Sequence, residues 1–239
     1  MNQLAIDIGN STVHCGYFTS GTLKKIFSRP TTQIKNFNFI PQQLRIEKIL
    51  VSSVVPKIDR LVKKRFGSQA IFINARNIPL IKIKTKTPEE VGADRLVAAF
   101  GAWEKFRTPC LVIDLGTATT LDVILKNAEY RGGLICPGFE LSRDILFERT
   151  AKLPRVTLKE PPSLIGNSTI TAIQAGLIHG YRSMLEGLIE KITQQYRQPF
   201  KIIATGGHAP FLASKLKPSV DLIDPQFLLK SLDKIGHYL

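Results

Sequence analysis

The chain contains two copies of one nine-residue pattern, the first near its start and the second near its middle. Residues 4–12 are LAIDIGNST and residues 111–119 are LVIDLGTAT, with identical Leu, Ile, Asp, Gly and final Thr. In each copy an apolar run predicts a buried strand that ends in Asp, and the following Gly and small residues predict a tight turn into a second strand. The repeat therefore predicts two related halves, each opening on the same hairpin.

The composition of these hairpins favours phosphate binding. A turn of Gly and small hydroxylic residues offers backbone N–H groups and hydroxyls to phosphate oxygens, and the Asp offers an oxygen ligand to a neutralising cation. The alternative is an ordinary turn in which the Asp bonds only to its own backbone. Because the pattern occurs twice, we favour phosphate binding and expect the two hairpins to face each other across a nucleotide cleft.

The overall composition narrows the class of protein. The chain has 239 residues, of which 44% are hydrophobic and 22% charged, as expected for a folded domain, and its net charge of +14 predicts anionic ligands or partners. Three cysteines without a CxxC pair argue against a disulfide framework or a zinc site and favour a reducing compartment. With no signal peptide and no apolar run of about 20 residues, we expect a cytoplasmic protein without a membrane partner.

A predicted helix over residues 87–106 carries a second candidate site. Thr87 as N-cap, Pro88 at the first helical position and Glu90 at the third are typical of a helix start. Asp94 and Arg95 follow, and small residues lie one and two turns further on. The pair is interpreted either as a general base with an anion clamp or as an exposed ion pair on a closely packed helix. A Thr108-Pro109 break places a domain boundary here, giving an N-terminal domain of residues 1–108 and a C-terminal domain of residues 109–239.

Nine short motifs are distributed along the chain. They are DxGN at 7–10, VSSVVP at 51–56, GADR at 92–95, DLGTAT at 114–119, GG at 132–133, PG at 137–138, TAxLP at 150–154, GNST at 166–169 and TGG at 205–207. In this order they resemble the type III pantothenate kinase family. The resemblance covers nearly the whole chain, and the combination is specific although each motif alone is not.

The resemblance implies a fold and an activity. It implies an α/β fold of the acetate and sugar kinase/heat-shock chaperone/actin superfamily, with two ribonuclease-H-like domains. It further implies ATP-dependent phosphorylation of pantothenate to 4'-phosphopantothenate, the first step of coenzyme A biosynthesis. A homodimer, magnesium with the ATP, and a monovalent cation, potassium or ammonium, are expected.

The resemblance also implies residue roles. Asp94 is expected to be the proton acceptor and Asp114 to bind the monovalent cation. The chain departs from the family at Thr85, where the family often has a substrate-contacting Tyr. The residues expected to bind ATP are Asp7, Ile8, Gly9, Asn10, Ser11, Thr12, Val13, His14 and Thr117. Those expected to bind pantothenate are Gly92, Ala93, Asp94, Arg95 and Thr169.

Three questions stay open at this level. The chemistry of the residues alone does not decide which of Asp7, Asp94 and Asp114 is the base. The activity has two alternatives. One is a different kinase of the same superfamily, acting on another small alcohol or on a carboxylate. The other is a nucleic-acid-binding regulator, which the basic runs at 63–65 and 82–86 would suit. These runs, however, lack the interleaved aromatic residues that single-strand binding needs. We therefore interpret them as solvated faces and expect no nucleic-acid partner.

Overall fold

The computed structural model describes all residues from Met1 to Leu239, and packing divides them into two compact units. Unit 1 comprises Met1–Cys110, Asp122–Gly132 and Gln226–Leu239, and unit 2 comprises Leu111–Leu121 and Gly133–Pro225. The predicted domain boundary after residue 108 separates two related halves of the sequence, and it stays a prediction. The two units are defined by packing instead, and for this reason residues 122–132 and 226–239 belong to unit 1.

Eleven strands and six α-helices make up the fold. The strands are β1 (Asn2–Ile8), β2 (Thr12–Thr19), β3 (Thr22–Pro30), β4 (Lys48–Ser53), β5 (Ala70–Phe72), β6 (Lys82–Ile83), β7 (Cys110–Leu115), β8 (Ala118–Leu125), β9 (Glu129–Pro137), β10 (Lys201–Thr205) and β11 (Leu222–Ile223). The helices are α1 (Pro56–Phe66), α2 (Ala93–Phe106), α3 (Phe139–Glu148), α4 (Thr169–Tyr196), α5 (Ala209–Leu212) and α6 (Phe227–Ile235). None of the helices combines the length and the apolar character that crossing a membrane requires.

The main sheet of unit 1 has β1 at its centre. Its order is β3-β2-β1-β4-β5, with β1 antiparallel to β2 and parallel to β4. One face of β1 carries Leu4, Ile6 and Ile8, which are buried in a core that also contains Ile58 and Val62 of α1. Asp7 belongs to the opposite face, because successive side chains of a strand point to opposite sides. Residues of the short strand β6 pair with the beginning of β9 in the same unit, with Lys82 opposite Glu129.

The second sheet repeats this order. Five of its six strands run β9-β8-β7-β10-β11, with β6 at the edge beside β9, so the first strand of the repeat is again central, with the next two strands on one side and the following two on the other. The two nine-residue copies thus begin on equivalent central strands, β1 and β7. This shared order confirms the predicted α/β class and the prediction of two related halves.

Helix α2 begins later than its sequence predicts. Residues Pro88–Glu90 form a short 3-10 turn, in which the Thr87 hydroxyl donates a hydrogen bond to Glu90 over 2.7 Å. Gly92 then has an extended backbone, φ −56° and ψ 141°, so the α-helix starts only at Ala93. As a consequence, Asp94 lies in the first helical turn, where backbone N–H groups are not yet used by the helix.

The row of small residues on α2 serves helix packing. Ser231 and Phe227 of α6 lie directly against Gly101 of α2. This face of α2 therefore packs closely against a second helix.

Candidate active site

Four polar side chains form a row across the main sheet of unit 1. Asp7 is the register neighbour of His14 on β2 and of Ser52 on β4, and His14 is in turn opposite Ser28 on β3. His14 Nδ1 lies 2.8 Å from Ser28 Oγ. Because register neighbours share a face of the sheet, Asp7 lies within a polar strip at the end of β1.

The turn of the first hairpin is held from a third segment. The Gly9 N–H donates to the Thr12 carbonyl over 3.0 Å, which closes the turn. Thr31, at the end of β3, donates its hydroxyl to the Gly9 carbonyl over 2.7 Å and its N–H to the Ser11 carbonyl over 2.9 Å. Asn10 and Ser11 are exposed, so the tip of the turn is open to a ligand while its base is braced.

Asp94 is held at the start of α2 by the backbone around it. Its Oδ1 accepts the Arg95 N–H over 2.8 Å. The carboxylate folds back over Gly92, since a Cβ at that glycine would lie only 2.5 Å from Asp94 Oδ1. The glycine of the GADR motif therefore leaves the space that the Asp94 carboxylate occupies.

The carboxyl groups of Asp7 and Asp94 influence each other electrostatically. Burial and, to a smaller extent, the charge of Asp94 raise the pKa of Asp7 to about 7, against the lowering effect of the Ser52 hydroxyl. Burial also raises the pKa of Asp94, against the lowering effect of the Arg95 N–H and of the Arg95 charge. Two partly desolvated carboxyls at one place in unit 1 form a site suited to accepting a proton or to facing a cation.

Arg95 is oriented by a buried acid. Arg95 Nε donates to Asp122 Oδ1 over 2.9 Å, and its Nη2 lies 2.7 Å from the same oxygen. Tyr130 donates its hydroxyl to that oxygen over 2.6 Å, and the Arg95 guanidinium carbon lies 6.0 Å from the centre of the Tyr130 ring. The arrangement differs from the exposed ion pair considered at the sequence level, because Arg95 pairs with Asp122 rather than standing in solvent beside Asp94.

Thr85, the position where the family often has Tyr, is also in unit 1. Its methyl group lies 3.4 Å from where a Cβ of Gly132 would stand. Its hydroxyl oxygen is buried and has no hydrogen-bond partner. At this position the chain therefore has a short, half-buried side chain in place of the family's Tyr.

The second hairpin, in unit 2, places Asp114 against two glycine backbones. A Cβ at Gly116 would lie 3.2 Å from Asp114 Oδ1, and one at Gly206 only 2.5 Å from it. Gly206 has φ +88°, a conformation that side-chain-bearing residues rarely adopt. The His208 N–H donates to the Leu115 carbonyl over 3.2 Å, so the TGG turn packs onto the end of β7.

Thr117, at the tip of the second hairpin, is exposed and backed by the turn before α3. A Cβ at Gly138 would overlap the Thr117 carbonyl oxygen, so this turn lies in tight contact with the hairpin. Tyr181 of α4 bonds to Thr119 and donates its hydroxyl to the Pro137 carbonyl over 2.8 Å. The second hairpin is thus braced at its base and open at its tip, like the first.

Thr169 lies on another part of unit 2. It is the first residue of α4, and the preceding Ser168 caps the helix by accepting the Thr171 N–H over 3.2 Å. Thr169 lines an open groove of about 890 Å³ whose lining also includes Leu146 and Ile173. Neither Asp114 nor Thr117 lines this groove.

The structure therefore groups the predicted site residues into three places. The first hairpin and the GADR segment lie together in unit 1, Asp114 and Thr117 lie on the second hairpin, and Thr169 lies in the groove. Sequence reasoning missed the side chains that hold these places, namely Thr31, Ser52, Asp122 and Tyr130. Ser52 is part of a recognised motif, and Asp122 and Tyr130 stand close to others, but no spacing rule links Asp122 to Arg95, 27 residues earlier.

The chain is similar to a known protein family along most of its length. The family model for type III pantothenate kinase matches residues 3–191. A type III pantothenate kinase from Sulfurihydrogenibium sp. is 40% identical, over 89% of this chain and 91% of that protein.

Solved structures show the fold. A conserved Campylobacter jejuni protein assigned to the Baf family of transcriptional activators is 23% identical, with a TM-score of 0.65 over 98% of each chain. A ROK family glucokinase from Streptomyces griseus, solved with glucose and AMPPNP, is 11% identical, with a TM-score of 0.55 over the whole of both chains. At these identities the likeness concerns the fold alone, which this chain shares with that glucokinase.

The repeated Asp-x-Gly hairpin on two equivalent central strands, the GADR segment at the start of α2 and the match along most of the sequence agree with one another. The chain belongs to the type III pantothenate kinase family.

Proposed function

We propose that Asp94 is the general base with which this pantothenate kinase phosphorylates pantothenate. The observation that carries the proposal is the setting of Asp94. Its carboxylate is desolvated, has a raised pKa, and lies in the first turn of α2 beside an arginine held in one orientation. A base is most effective when its pKa is close to the working pH, and burial moves the pKa of Asp94 in that direction.

The other two acids fit other roles better. Asp7 ends the strand that leads into the first hairpin, and Asp114 lies against the backbone of the second hairpin and of Gly206. Both positions are next to turns that offer N–H groups and hydroxyls to phosphate. Asp94 alone lies beside a guanidinium, the group that would hold the anionic pantothenate.

The proposed reaction is an in-line phosphoryl transfer. The primary hydroxyl of pantothenate gives its proton to the Asp94 carboxylate as the new O–P bond forms, and the bond between the γ-phosphorus and the ADP oxygen breaks. ADP and 4'-phosphopantothenate are the products. Since such transfers depend mainly on positioning and charge stabilisation, the backbone constraints on Asp94 and Arg95 are part of the catalysis.

We assign ATP binding to residues 7–14 and to Thr117. The exposed tips of the two hairpins and their braced bases support this assignment, because preorganised backbone donors bind phosphate without a further ordering cost. Pantothenate binding is assigned to the GADR segment and to Thr169 at the start of α4.

Oxygen atoms beside Asp114 suit a hard cation. The Asp114 carboxylate and the Leu115 carbonyl oxygen both lie within 2.7 Å of where a Cβ of Gly206 would stand. No cluster of three or more Asp, Glu, His or Cys side chains is present, so one carboxylate with neutral oxygens would form the site. We propose that Asp114 binds potassium or ammonium and that magnesium accompanies the ATP. When bound, these cations offset phosphate charge.

A coupled ADP-release assay with the Asp94→Asn variant tests the assignment of the base. We expect pantothenate-dependent turnover to fall by roughly 10²–10⁴-fold with the KM for ATP unchanged, because the substitution removes the proton acceptor and leaves the hairpins intact. Turnover within twofold of the wild type would exclude Asp94 as the base. Acetate and glucose in place of pantothenate test the alternative substrates, and parallel assays in potassium and sodium salts test the monovalent cation.

We also propose that the protein is a homodimer in the cytoplasm. The segment from residue 134 to 170 in unit 2 carries most of the large apolar side chains that the structure exposes, which favours a second copy of this chain covering them. They are Leu134, Ile135, Leu141, Ile145, Phe147, Leu164, Ile165 and Ile170. The three cysteines are free thiols, in agreement with a reducing compartment.

A further inference from the structure

We propose that Asp122 and Tyr130 are positioning residues that fix the Arg95 guanidinium for the anionic substrate. The inference rests on the proposed substrate role of Arg95 and assigns the two side chains through which that role is exerted. All three residues belong to unit 1.

The contacts define one orientation of the guanidinium. Asp122 Oδ1 is 2.9 Å from Arg95 Nε and 2.7 Å from Nη2, so one oxygen engages one edge of the guanidinium plane. The same oxygen accepts the Tyr130 hydroxyl over 2.6 Å. Because a guanidinium is planar, two contacts on one edge set the direction of the Nη1 donors, which the Asp122 contacts leave available for a ligand.

Burial makes this arrangement more than a surface ion pair. The Asp122 side chain is 1% exposed, that of Arg95 is 16% exposed, and Tyr130 is fully buried. Away from water, such a pair keeps its geometry, whereas exposed pairs fluctuate and are screened by salt. Burial, followed by the charge of Asp122, raises the pKa of the Tyr130 hydroxyl, so it stays a donor at every physiological pH.

The Asp122 contacts fix the orientation of the Arg95 guanidinium and also offset its positive charge. Asp122 offsets the positive charge of Arg95, so the site recognises an anion through aimed N–H donors rather than through net charge alone. Asp94, the residue immediately before Arg95, is the proposed base. An Arg95 free to swing towards Asp94 would pair with that carboxylate and lower its pKa, which would weaken it as a proton acceptor.

Substitutions at Asp122 and Tyr130 test the proposal through the KM for pantothenate. We expect Asp122→Asn to raise this KM by roughly 10-fold or more, and Tyr130→Phe by a few-fold, because charged and neutral hydrogen bonds that hold Arg95 are lost. The KM for ATP should stay within twofold in both variants. Tyr130→Phe keeps the packing of the ring, so it carries the test if Asp122→Asn does not fold.

Glu160→Gln is the matched control. Glu160 forms a two-point pair with Arg182 in unit 2, with contacts of 2.8 and 3.0 Å, and the substitution again removes one carboxylate charge from an arginine. It should leave the KM for pantothenate within twofold, even where the melting temperature falls.

A double-mutant cycle distinguishes positioning from a general structural role. In an Arg95→Ala background, Asp122→Asn should change the KM for pantothenate by less than twofold, because the group that it positions is absent. A full, additive effect in that background would overturn the inference. If Arg95→Ala raises this KM but Asp122→Asn and Tyr130→Phe do not, the inference alone fails. If Arg95→Ala leaves it unchanged, the proposed role of Arg95 fails first.

Discussion

At the scale of single residues, the carboxyls of Asp7 and Asp94, which we propose bind ATP and accept the proton, carry a cost in stability. Each is desolvated, and the charge of Asp94 raises the pKa of Asp7 further. A carboxyl with a raised pKa binds its proton more tightly in the folded than in the unfolded chain. The free energy of unfolding therefore falls as the pH rises from about 4 to about 7 through this group.

Asp7→Asn should consequently stabilise the ligand-free protein at alkaline pH. The substitution removes the charge that burial disfavours, so its gain in the free energy of unfolding should be larger at pH 8 than at pH 5, by roughly 1–3 kcal/mol. Urea unfolding at the two pH values measures the difference. The same variant should lose kinase activity, because Asp7 belongs to the first hairpin.

Asp144→Asn provides a control of opposite sign. Hydrogen bonds from Arg143 and Arg155 lower the pKa of Asp144 to about 2, so loss of its charge should not stabilise the protein at pH 8. If Asp7→Asn changed the free energy of unfolding equally at both pH values, the carboxyl of Asp7 would not have a raised pKa in the folded protein.

At the scale of elements, the late start of α2 decides where Asp94 stands. The extended backbone at Gly92 delays the helix to Ala93, so the carboxylate meets unused N–H groups of the first turn. A helix that began at Pro88 would place Asp94 in its second turn, where most backbone N–H groups are already paired. The position of the proposed base thus depends on a break in the helix that capping signals alone do not indicate.

Gly92→Ala should therefore reduce activity more than stability. The backbone of Gly92 suits alanine, but the added Cβ would stand 2.5 Å from Asp94 Oδ1 and displace the carboxylate. We expect kcat to fall by roughly 10-fold or more, as small misplacements of catalytic groups are costly, while the melting temperature changes by only a few degrees.

Gly187→Ala is the comparison for this variant. Nothing lies within 4 Å of a Cβ at Gly187 in α4, and alanine is the better helix former, so stability should rise slightly and kcat should not change. An active Gly92→Ala enzyme with unchanged kcat would show that the space at Gly92 does not position Asp94.

At the scale of the whole molecule, the same strand order in both sheets shows that the sequence repeat is a structural repeat. Exposed apolar side chains are concentrated in one segment of unit 2, however, so the two related halves have different surfaces. This difference underlies the proposed homodimer. The prediction that the +14 charge serves no nucleic-acid partner stays a prediction.

Ile145→Lys should convert the proposed dimer to a monomer. Ile145 of α3 is 43% exposed, and a buried lysine at an interface between copies would lack a partner. Sedimentation velocity should show a mass near twice 26.6 kDa for the wild type and near 26.6 kDa for the variant. Ile26→Lys, at an isoleucine of equal exposure in unit 1, should stay dimeric. A monomeric wild type at micromolar concentration would refute the proposal.

The repeat predicted two related halves, and the resemblance carried by the short motifs predicted the fold class, the family and the enzyme class. Each of these signals consists of residues close together in the chain. The helix predicted from Thr87 was only partly right, since the capping pattern at 87–90 forms a 3-10 turn and Gly92 interrupts it. The roles of individual site residues stay predictions.

What the tertiary structure alone decided is how those residues are held. Thr31 braces a turn 20 residues before it, and Asp122 and Tyr130 orient Arg95 from two strands that come later in the chain. Hydrophobic periodicity and turn chemistry are local, so they specify strands, hairpins and helix faces. Contacts between distant segments depend on how sheets and helices pack, and one-dimensional patterns carry little of that information.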